Sequence, residues 1–185
     1  MSEAAPDDRM LVARALTGEQ AAYSELMRRH RDAVWRLARG HVGDADEALD
    51  ITQESFVSAF AALSRYDPER PFRTWIARIA LNKCRDWSRR RAVRSFFTFA
   101  KPLDDALDLA DTAALPDEAL HSQHEVRRIQ SAIAALPVAL KEVLLLRTIE
   151  AMSQAETAQL LGISDKAVET RLYRARAKLA DMLRD

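Results

Sequence analysis

The stretch MSQAETAQLLGISDKAVETRLYRARAKLADML, residues 152–183, carries two helix starts and one helix stop. Ser153, with Glu156 three residues later, is a capping-box pattern and predicts the start of a short helix. Gly162 can take the left-handed conformation that ends a helix, and Ser164 can then cap a second one. The stretch therefore predicts a short helix, a tight turn and a longer helix.

The longer helix has one apolar and one polar side. Apolar residues recur at steps of four, three and four, which is the spacing of a helix packed on one side: Val168, Leu172, Ala175 and Leu179. The polar side carries donors suited to phosphates and base edges. These features predict a helix-turn-helix whose second helix enters a DNA major groove. An ordinary helical hairpin with a solvated basic face is the alternative.

A second informative segment, PFRTWIARIALNKCRDWSRRR at residues 71–91, mixes aromatic and basic residues. Helical spacing places its apolar side chains on one face: Phe72, Trp75, Ile76, Ile79, Ala80, Cys84 and Trp87. The opposite face carries Arg78, Asn82, Arg85 and Arg89. The aromatic residues are therefore expected in the core, with the arginines turned outward toward phosphates.

Charge is segregated along the chain, although the 185 residues have no net charge. Residues 44–54 contain five acids and no base, and residues 65–94 contain ten bases and three acids. Residues 104–125 contain seven acids and no Lys or Arg. Because salt screens charges beyond roughly 8–10 Å, such blocks act as separate local fields. The neutral total therefore does not exclude a nucleic-acid partner.

Helical periodicity covers almost the whole chain, and no strand pattern is found. The predicted fold class is all-α, with two small helical domains joined by a flexible acidic linker. The first domain is assigned to residues 1–94 and the second to residues 120–185. Residues 95–119 are assigned to the linker because they are acidic, contain prolines and lose helical periodicity.

Several classes of protein are disfavoured. Cys84 is the only cysteine, which excludes a disulfide framework and favours a reducing compartment. His121 and His124 are three residues apart but have no third ligand nearby in sequence, so surface positions are expected. No long apolar window or signal sequence is found, so a cytoplasmic protein without membrane insertion is predicted. Nothing supports an enzyme, and no cofactor or metal is expected.

Together these segments resemble an extracytoplasmic-function (ECF) sigma factor of the sigma-70 family. DADEALDITQESFVSAF, residues 44–60, is similar to the family's region 2.2, and residues 66–91 are similar to regions 2.3 and 2.4. Residues 136–179 are similar to region 4. The resemblance covers roughly residues 10–94 and 120–183, so the two domains would be a region 2 bundle and a region 4 helix-turn-helix.

The resemblance implies a sigma subunit that directs core RNA polymerase to promoters and initiates transcription. Its implied partners are the β′ clamp helices and the β flap of polymerase, the −10 and −35 promoter elements, and an anti-sigma factor that holds it inactive. A conventional helix-turn-helix regulator is the alternative, and the acidic-then-basic pair of motifs at 44–94 argues against it. SFFTFAKPL, residues 95–103, either joins an anti-sigma interface or packs on the first domain.

The same resemblance assigns residue roles. Polymerase docking falls to Asp46, Asp50, Gln53 and Glu54. Helical spacing, independently of the resemblance, places Ala48, Ile51, Phe56, Val57 and Phe60 on the inner side of the same helix. Acids early in a helix also complement its dipole, worth roughly 0.3–1 kcal/mol each. Promoter contacts near −10 fall to Arg73, Arg78, Asn82, Lys83, Arg85, Arg89 and Arg90. Contacts near −35 fall to Lys166, Thr170, Arg171, Tyr173 and Arg174. Glu169 lies among them and departs from the family, in which this position is commonly basic or polar; a glutamate can accept from cytosine N4 but repels phosphate. The loop Ser64 to Pro71 resembles the loop that captures a flipped base in the family. Tyr66 in this loop either stacks on that base or caps the core.

Overall fold

The structure is a computed structural model that describes residues 7–98 and 117–184, with side chains for 7–94 and 124–184. Within these ranges the chain is helical and has no β-strand, as the sequence predicts. The α-helices of these ranges are Asp8–Leu16 (α1), Gln20–Val42 (α2), Ala45–Ala61 (α3), Phe72–Thr98 (α4), Asp117–Ala135 (α5), Val138–Leu144 (α6), Gln154–Leu161 (α7) and Asp165–Met182 (α8). We refer to residues 7–98 as the N-terminal half and to residues 117–184 as the C-terminal half.

Local signals set the ends of the first three helices. The Asp7 carboxylate caps α1 by accepting from two backbone N–H groups of the first turn. Asp44 caps α3 in the same way, accepting from the N–H of Glu47 at 2.9 Å. Between them, Gly43 ends α2 with a φ of +82°, a conformation that glycine adopts without a Cβ penalty. The helices of the N-terminal half can therefore fold back on one another through short turns.

The N-terminal half closes around an apolar core. Leu11, Leu26, Leu37, Phe56 and Phe72 come from all four helices and are each at most 2% exposed. Full burial of such a side chain contributes roughly 1.5–3 kcal/mol. These contacts hold α3 and α4, the acidic and the basic helix, side by side.

Helix α4 begins directly after Pro71, as the proline-containing loop predicts. It continues to Thr98, and α5 begins at Asp117, so both helices extend into the segment assigned to the linker. Residues 99–116 lie outside the described ranges, and so does part of SFFTFAKPL. The prediction made for that motif concerns side chains that the structure does not describe.

The helix caps that the sequence predicts for the C-terminal half are present in the structure. Ser153 Oγ accepts from the N–H of Glu156 at 3.2 Å, and a Glu156 carboxylate oxygen accepts from the N–H of Ser153 at 2.7 Å. Gly162 has a φ of +67° and ends α7. The sequence did not predict the π-helical turn at Leu145–Ile149, which continues α6.

The two halves also pack directly on each other. Leu145, Leu146 and Met152 are each 0% exposed and belong to the same apolar cluster as the helices of the N-terminal half. Gly40 of α2 permits this approach, because a Cβ there would collide with Cδ2 of Leu145. Glycine inside a helix costs roughly 0.5–1 kcal/mol relative to alanine. The position therefore favours close packing between the halves at the expense of local helix stability.

Candidate polymerase and nucleic-acid interfaces

The outer side of α3 is exposed and mixes acidic with apolar side chains. The four predicted docking residues are all exposed: Asp46, Asp50, Gln53 and Glu54. Leu49, at 46% exposed, and Val57, at 70%, share the helical face of the first three. Isolated apolar residues are normal on a surface, but this pair lies within one acidic stripe. The stripe offers both charge and apolar area to a basic partner.

The prediction that Val57 lies on the inner side of α3 is wrong. Phe56 takes the core position at 2% exposed. Since successive residues of a helix are separated by about 100°, the residue after Phe56 turns toward solvent. Phe60 is half-buried and packs edge-on against Tyr23, with ring centroids 4.9 Å apart.

Not every acid near α3 is available to a partner. Glu47 accepts a hydrogen bond from Nε1 of Trp87 at 2.7 Å, and Glu54 lies 3.5 Å from Nζ of Lys83. Both acids therefore tie α3 to α4. Asp46 and Asp50 are the acids of the stripe that remain clear of these two contacts.

Tyr66, in the loop before α4, belongs to the core. It is 8% exposed, its ring centroid lies 5.3 Å from that of Trp75, and its hydroxyl donates to the carbonyl of Arg70. Of the two roles left open by the sequence, the structure supports core capping. Base capture by the rest of the loop stays a prediction.

The division of α4 into a core face and a polar face is confirmed. Phe72 is 1% exposed and Cys84 is 0% exposed, whereas Trp75 and Trp87 are half-buried at the edge of the core. Burial raises the pKa of the Cys84 thiol to about 12, so this thiol stays protonated at neutral pH. Cys84 therefore fills space in the core, as the sequence predicts.

The basic residues of α4 separate into two groups. Lys83 faces Glu54 of α3, and Arg89 pairs with Asp86 one turn earlier. Arg90 is exposed and lies beside the same α3 surface. Within the described residues, Lys83 and Arg89 make these ion pairs inside the N-terminal half. The second group consists of Arg73, Arg78 and Arg85, whose partners lie in the C-terminal half.

Arg85 of that second group is held by a carboxylate of the C-terminal half. Its Nε and Nη2 donate to the two carboxylate oxygens of Glu142 at 2.6 and 2.7 Å. The Glu142 side chain is only 5% exposed. The hydrogen bonds that Arg85 donates to this carboxylate raise the pKa of Arg85 above its ordinary value. Asn82 is exposed and accepts from Arg85 at 3.3 Å, so the predicted −10-reading side chain lies at the edge of this pair.

Arg73 and Arg78 complete the second group. Arg78 Nη2 donates to the backbone carbonyl of Gln159 in α7 at 3.0 Å. Arg73 lies 3.7 Å from the Glu156 carboxylate at the start of α7. Three of the predicted −10 contacts are therefore directed at α6 and α7.

A buried lysine adds to the same interface. Lys141 is 5% exposed, and its ammonium group donates to the carbonyls of Ala134 and, at 2.9 Å, of His41 in the last turn of α2. A cation at this end of a helix is favoured by the helix dipole. Burial lowers the pKa of Lys141. Burial together with the charges of Lys141 and Arg85 lowers the pKa of His41 to about 3, so this imidazole stays neutral.

Glu150 is a buried carboxylate with an unsatisfied oxygen. It is 6% exposed, its Oε1 has no hydrogen-bond partner, and the nearest guanidinium, that of Arg36, lies 3.8 Å away. At that distance the pair attracts electrostatically without a hydrogen bond. Burial raises the pKa of Glu150, with Arg36 and Arg73 opposing the shift.

The exposed face of α8 presents the predicted −35 residues to solvent. Tyr173 is 76% exposed and Arg174 is exposed, while Arg171 is half-buried at the side of the helix. The Thr170 hydroxyl donates to the carbonyl of Lys166 at 2.9 Å, within α8 itself. The inner side of α8 is confirmed, with Val168 and Ala175 0% exposed and Leu172 and Leu179 packed beside them.

Glu169 lies on this face between basic residues. Its carboxylate is 3.3 Å from Nζ of Lys166, one turn earlier, and both side chains are largely exposed. Surface pairs of this kind contribute at most about 1 kcal/mol. The contact reduces the repulsion that Glu169 would exert on a phosphate and also engages Lys166.

Sequence reasoning missed the residues that join the two halves. Lys141 and Glu142 stand among apolar residues and read as ordinary polar positions on a helix, yet both are buried. Arg39 donates to Oε1 of Gln130 in α5 at 3.2 Å, another contact between the halves. Gly40 was the available signal, because an isolated glycine in a helix often marks close packing.

Two further sequence predictions concern the histidines of α5 and membrane insertion. His124 is exposed as expected, while the His121 side chain is outside the described residues. No helix in the described ranges is both long enough and apolar enough to span a bilayer.

Comparison with known proteins assigns a family to this arrangement. Residues 26–94 match the family described as Sigma-70 region 2, and residues 126–179 match the family described as Sigma-70, region 4. RNA polymerase sigma factor CnrH of Cupriavidus metallidurans is 42% identical over 180 residues, which cover 95% of this chain and 94% of that protein. ECF RNA polymerase sigma factor SigW of Bacillus subtilis is 30% identical over 172 residues, covering 91% and 92%.

One solved structure is similar to this chain over both halves. It is described as CnrH in complex with the cytosolic domain of CnrY, and its similarity has a TM-score of 0.71 at 37% sequence identity, covering 95% of this chain and 96% of that one. The matches place the acidic helix α3 and the basic helix α4 in region 2, and the helix-turn-helix of α7 and α8 in region 4. The chain therefore belongs to the sigma-70 family of RNA polymerase sigma factors, in its ECF class.

Proposed function

We propose that this sigma factor uses three separate surfaces, one for core polymerase and two for promoter DNA. The observation that carries the proposal is the pairing of an exposed acidic stripe on α3 with two basic helices, α4 and α8, on one chain. It acts through binding energy and carries out no chemical step of its own. Because polymerase and promoter DNA are its partners, we place the protein in the cytoplasm.

Polymerase docking is assigned to the acidic stripe of α3. Asp46, Asp50 and Gln53 lie on one exposed face with Leu49 and Val57 among them. Acidic groups favour a basic partner surface and steer its approach, while the apolar pair adds area to bury. The β′ clamp helices are the proposed partner of this stripe, with the β flap as a second contact on polymerase for the C-terminal half.

Recognition of −10 DNA is assigned to the polar face of α4. Its arginines supply phosphate contacts, which give affinity without sequence information. Asn82 is exposed on this face and can read a base edge with its amide. The other proposed contacts on α4 are Arg73, Arg78, Lys83, Arg85, Arg89 and Arg90.

Recognition of −35 DNA is assigned to α8. Tyr173 and Arg174 project from the exposed face of the second helix of a helix-turn-helix, where base edges are read. Lys166 and Arg171 are proposed to contact the DNA backbone, and Thr170 and Glu169 to lie against the groove.

An anti-sigma factor is the proposed negative regulator. The solved CnrH structure is a complex with the cytosolic domain of CnrY. This chain is 37% identical to that CnrH chain over nearly its whole length, so we propose that it is controlled in the same manner.

Run-off transcription with core polymerase over genomic promoter fragments tests the proposed function. We expect specific initiation that requires both core enzyme and this protein. Binding to duplex promoter DNA with no effect on initiation would instead indicate a conventional helix-turn-helix regulator.

A charge reversal tests the docking surface within the same assay. Asp50→Arg should weaken the affinity for core polymerase and lower the run-off yield together. Asp32→Arg is the matched control, because Asp32 is an exposed acid on α2, outside the α3 stripe. Equal losses for the two variants would contradict the assignment of the stripe.

A further inference from the structure

A cleft of about 690 Å³ lies where the two halves meet, away from the residues proposed to contact polymerase and promoter DNA. Its walls come from the end of α2, the later turns of α4, and α5 and α6. Clefts between domains are common places for small ligands, and ligand pockets usually measure about 300–1,000 Å³. The chemistry of its lining therefore decides which ligand fits.

A buried ammonium group gives the cleft a positive charge. Lys141 lines the cleft, is 5% exposed, and donates to the backbone carbonyls of Ala134 and His41. An ammonium group has three donors, so one N–H is left over among the contacts of the described residues. The Glu142 carboxylate, which acts on Lys141 electrostatically, is already bound to Arg85. Because a buried charge is unfavourable without a counter-ion, an anion in the cleft stabilises this ammonium group.

His41 and Ser88 add further donors beside Lys141. His41 is 1% exposed, and its Nδ1 has no hydrogen-bond partner among the described residues. The Ser88 hydroxyl lies 3.4 Å from Nε2 of the same ring. When this hydroxyl donates to Nε2, the proton of the neutral imidazole is on Nδ1, and the ring then has an unused donor. The inner end of the cleft is therefore rich in donors.

The rest of the lining combines a guanidinium group with an apolar wall. Arg91 is exposed, and its Cζ lies 5.2 Å from the centroid of the Trp87 ring. Val138, 39% exposed, adds apolar surface from the first turn of α6. Among the described residues that line the cleft, Asp44 is the one acid, and its carboxylate accepts from the N–H of Glu47 as the cap of α3. The lining thus offers net positive charge next to an aromatic surface.

We propose that this cleft binds a small organic phosphate of about the size of a nucleoside monophosphate. The phosphate group contacts Lys141, Ser88 and Arg91, and the flat part of the ligand lies against Trp87 and Val138. A phosphate has three acceptor oxygens, which suits donors that come from two sides of a cleft. Because those donors belong to α4 and α6, the ligand bridges the two halves. The inference goes beyond the proposed function and does not depend on it.

Isothermal titration calorimetry of the full-length protein with AMP tests the proposal, because AMP joins a phosphate to a flat aromatic base. We expect a Kd of about 1 mM or tighter. Adenosine, which lacks the phosphate, should not bind measurably. Inorganic phosphate, which lacks the base, should bind at least about tenfold more weakly than AMP, because stacking on the aromatic wall is lost.

A charge placed in the lining tests the location of the site. Val138→Glu adds a negative charge at an exposed position in the first turn of α6, where an acid is compatible with the helix. It should weaken AMP binding at least about tenfold through repulsion of the phosphate. Val138→Gln is the matched control, because it has nearly the same size and no charge, and it should leave the Kd nearly unchanged.

A second variant removes a proposed contact without changing the core. Arg91→Ala should weaken AMP binding by about tenfold, because it removes a charged donor to the phosphate. Arg31→Ala is its control, since Arg31 is an exposed arginine of α2 that does not line the cleft. This control should bind AMP like the unchanged protein.

Three results would overturn the proposal. The first is no binding of AMP to the unchanged protein, and the second is AMP binding that neither Val138→Glu nor Arg91→Ala weakens. The third is equal affinity for AMP and for adenosine or inorganic phosphate. None of these measurements involves polymerase or DNA, so failure of the proposed function would appear separately, as absence of initiation by the unchanged protein.

Discussion

Helices α4 and α8 carry the same kinds of side chain but present them in opposite ways. On α8, Tyr173 is 76% exposed and Arg174 is exposed. On α4, Arg85 is bound to Glu142, whose side chain is 5% exposed. A basic residue on a proposed DNA-facing helix is therefore not always available to DNA, and the sequence of the helix alone does not distinguish the two cases.

The difference arises from what each helix is packed against. Helix α8 rests on α6 and α5 through its inner side, where Val168 and Ala175 are 0% exposed, so its outer side meets solvent. Helix α4 packs with α2 and α3 through one side and meets α7 and Glu142 on the other. A covered helix can contribute to stability as well as to binding, and the predictions below separate the two contributions.

The largest expected effect is on stability. Arg85→Ala should lower the free energy of unfolding by about 2 kcal/mol or somewhat more, because it leaves the Glu142 carboxylate buried without its partner, while the 40% exposure of the Arg85 side chain keeps the loss below that of a fully buried pair. Arg174→Ala, on the exposed helix, should change it by less than about 0.5 kcal/mol. Urea denaturation of both variants measures the difference. Equal and small changes would show that Arg85 contributes no more to the fold than an exposed arginine.

The second effect concerns DNA binding by α8. Arg174→Ala should weaken binding to a promoter by about 1–3 kcal/mol while binding to unrelated DNA stays nearly unchanged, if the guanidinium reads a base with two hydrogen bonds. Competition binding of the polymerase holoenzyme to matched and scrambled −35 elements provides the measurement. A uniform loss on all sequences would make Arg174 a phosphate contact.

The third effect is a pH dependence of stability that arises from His41, at the contact between the two halves. Because the pKa of His41 in the folded protein is lowered to about 3, the unfolded chain binds a proton there that the folded chain does not. This contribution to stability is fully present above pH 6.5. As the pH falls below 6.5 it is lost at up to about 1.4 kcal/mol per pH unit. Urea denaturation between pH 7 and pH 5 should show the slope, and His41→Asn should remove it.

Glu150 acts on the same pH profile with the opposite sign. Burial raises its pKa in the folded protein, so the folded state binds the extra proton and gains stability as the pH falls toward 4.5. Glu150→Gln should therefore make the loss of stability toward acid steeper than in the unchanged protein. A shallower loss in this variant would show that the Glu150 carboxylate is not buried as described.

The smallest effect concerns Glu169. Glu169→Gln removes a negative charge from the exposed face of α8 and frees Lys166, so affinity for duplex DNA of any sequence should rise by a few fold at low salt. Stability should change by less than about 0.5 kcal/mol. A fall in affinity for one promoter with no change on scrambled DNA would instead identify Glu169 as a base reader.

Features set by neighbouring residues could be predicted from the sequence. The capping box of Ser153 and Glu156 and the turn at Gly162 were found because caps act within four residues. The separation of aromatics from arginines on α4 was found because helical spacing determines it. At α3 the spacing was applied too broadly, and Val57 is exposed because Phe56 already fills the core.

Contacts between the halves could not be predicted in this way. Arg85 and Glu142 are far apart along the chain, and no periodic pattern connects them. Which arginine of α4 meets a carboxylate depends on how α6 and α7 sit against α2, and the close contact of Gly40 with Leu145 is one part of that packing. The sequence revealed the type of each surface, whereas its availability depends on the tertiary arrangement.

The pairing of Arg85 with Glu142 has a consequence for how many molecules are free to find polymerase. A chromosome offers about 10⁶–10⁹ non-specific sites, and exposed cationic groups are drawn to all of them. Because Arg85 is already neutralised by Glu142, the chain offers one fewer free cation to bulk DNA, is retained there less and contributes more to the diffusing pool. A single buried carboxylate can thereby increase the concentration of protein that polymerase encounters, without altering the surface that polymerase binds.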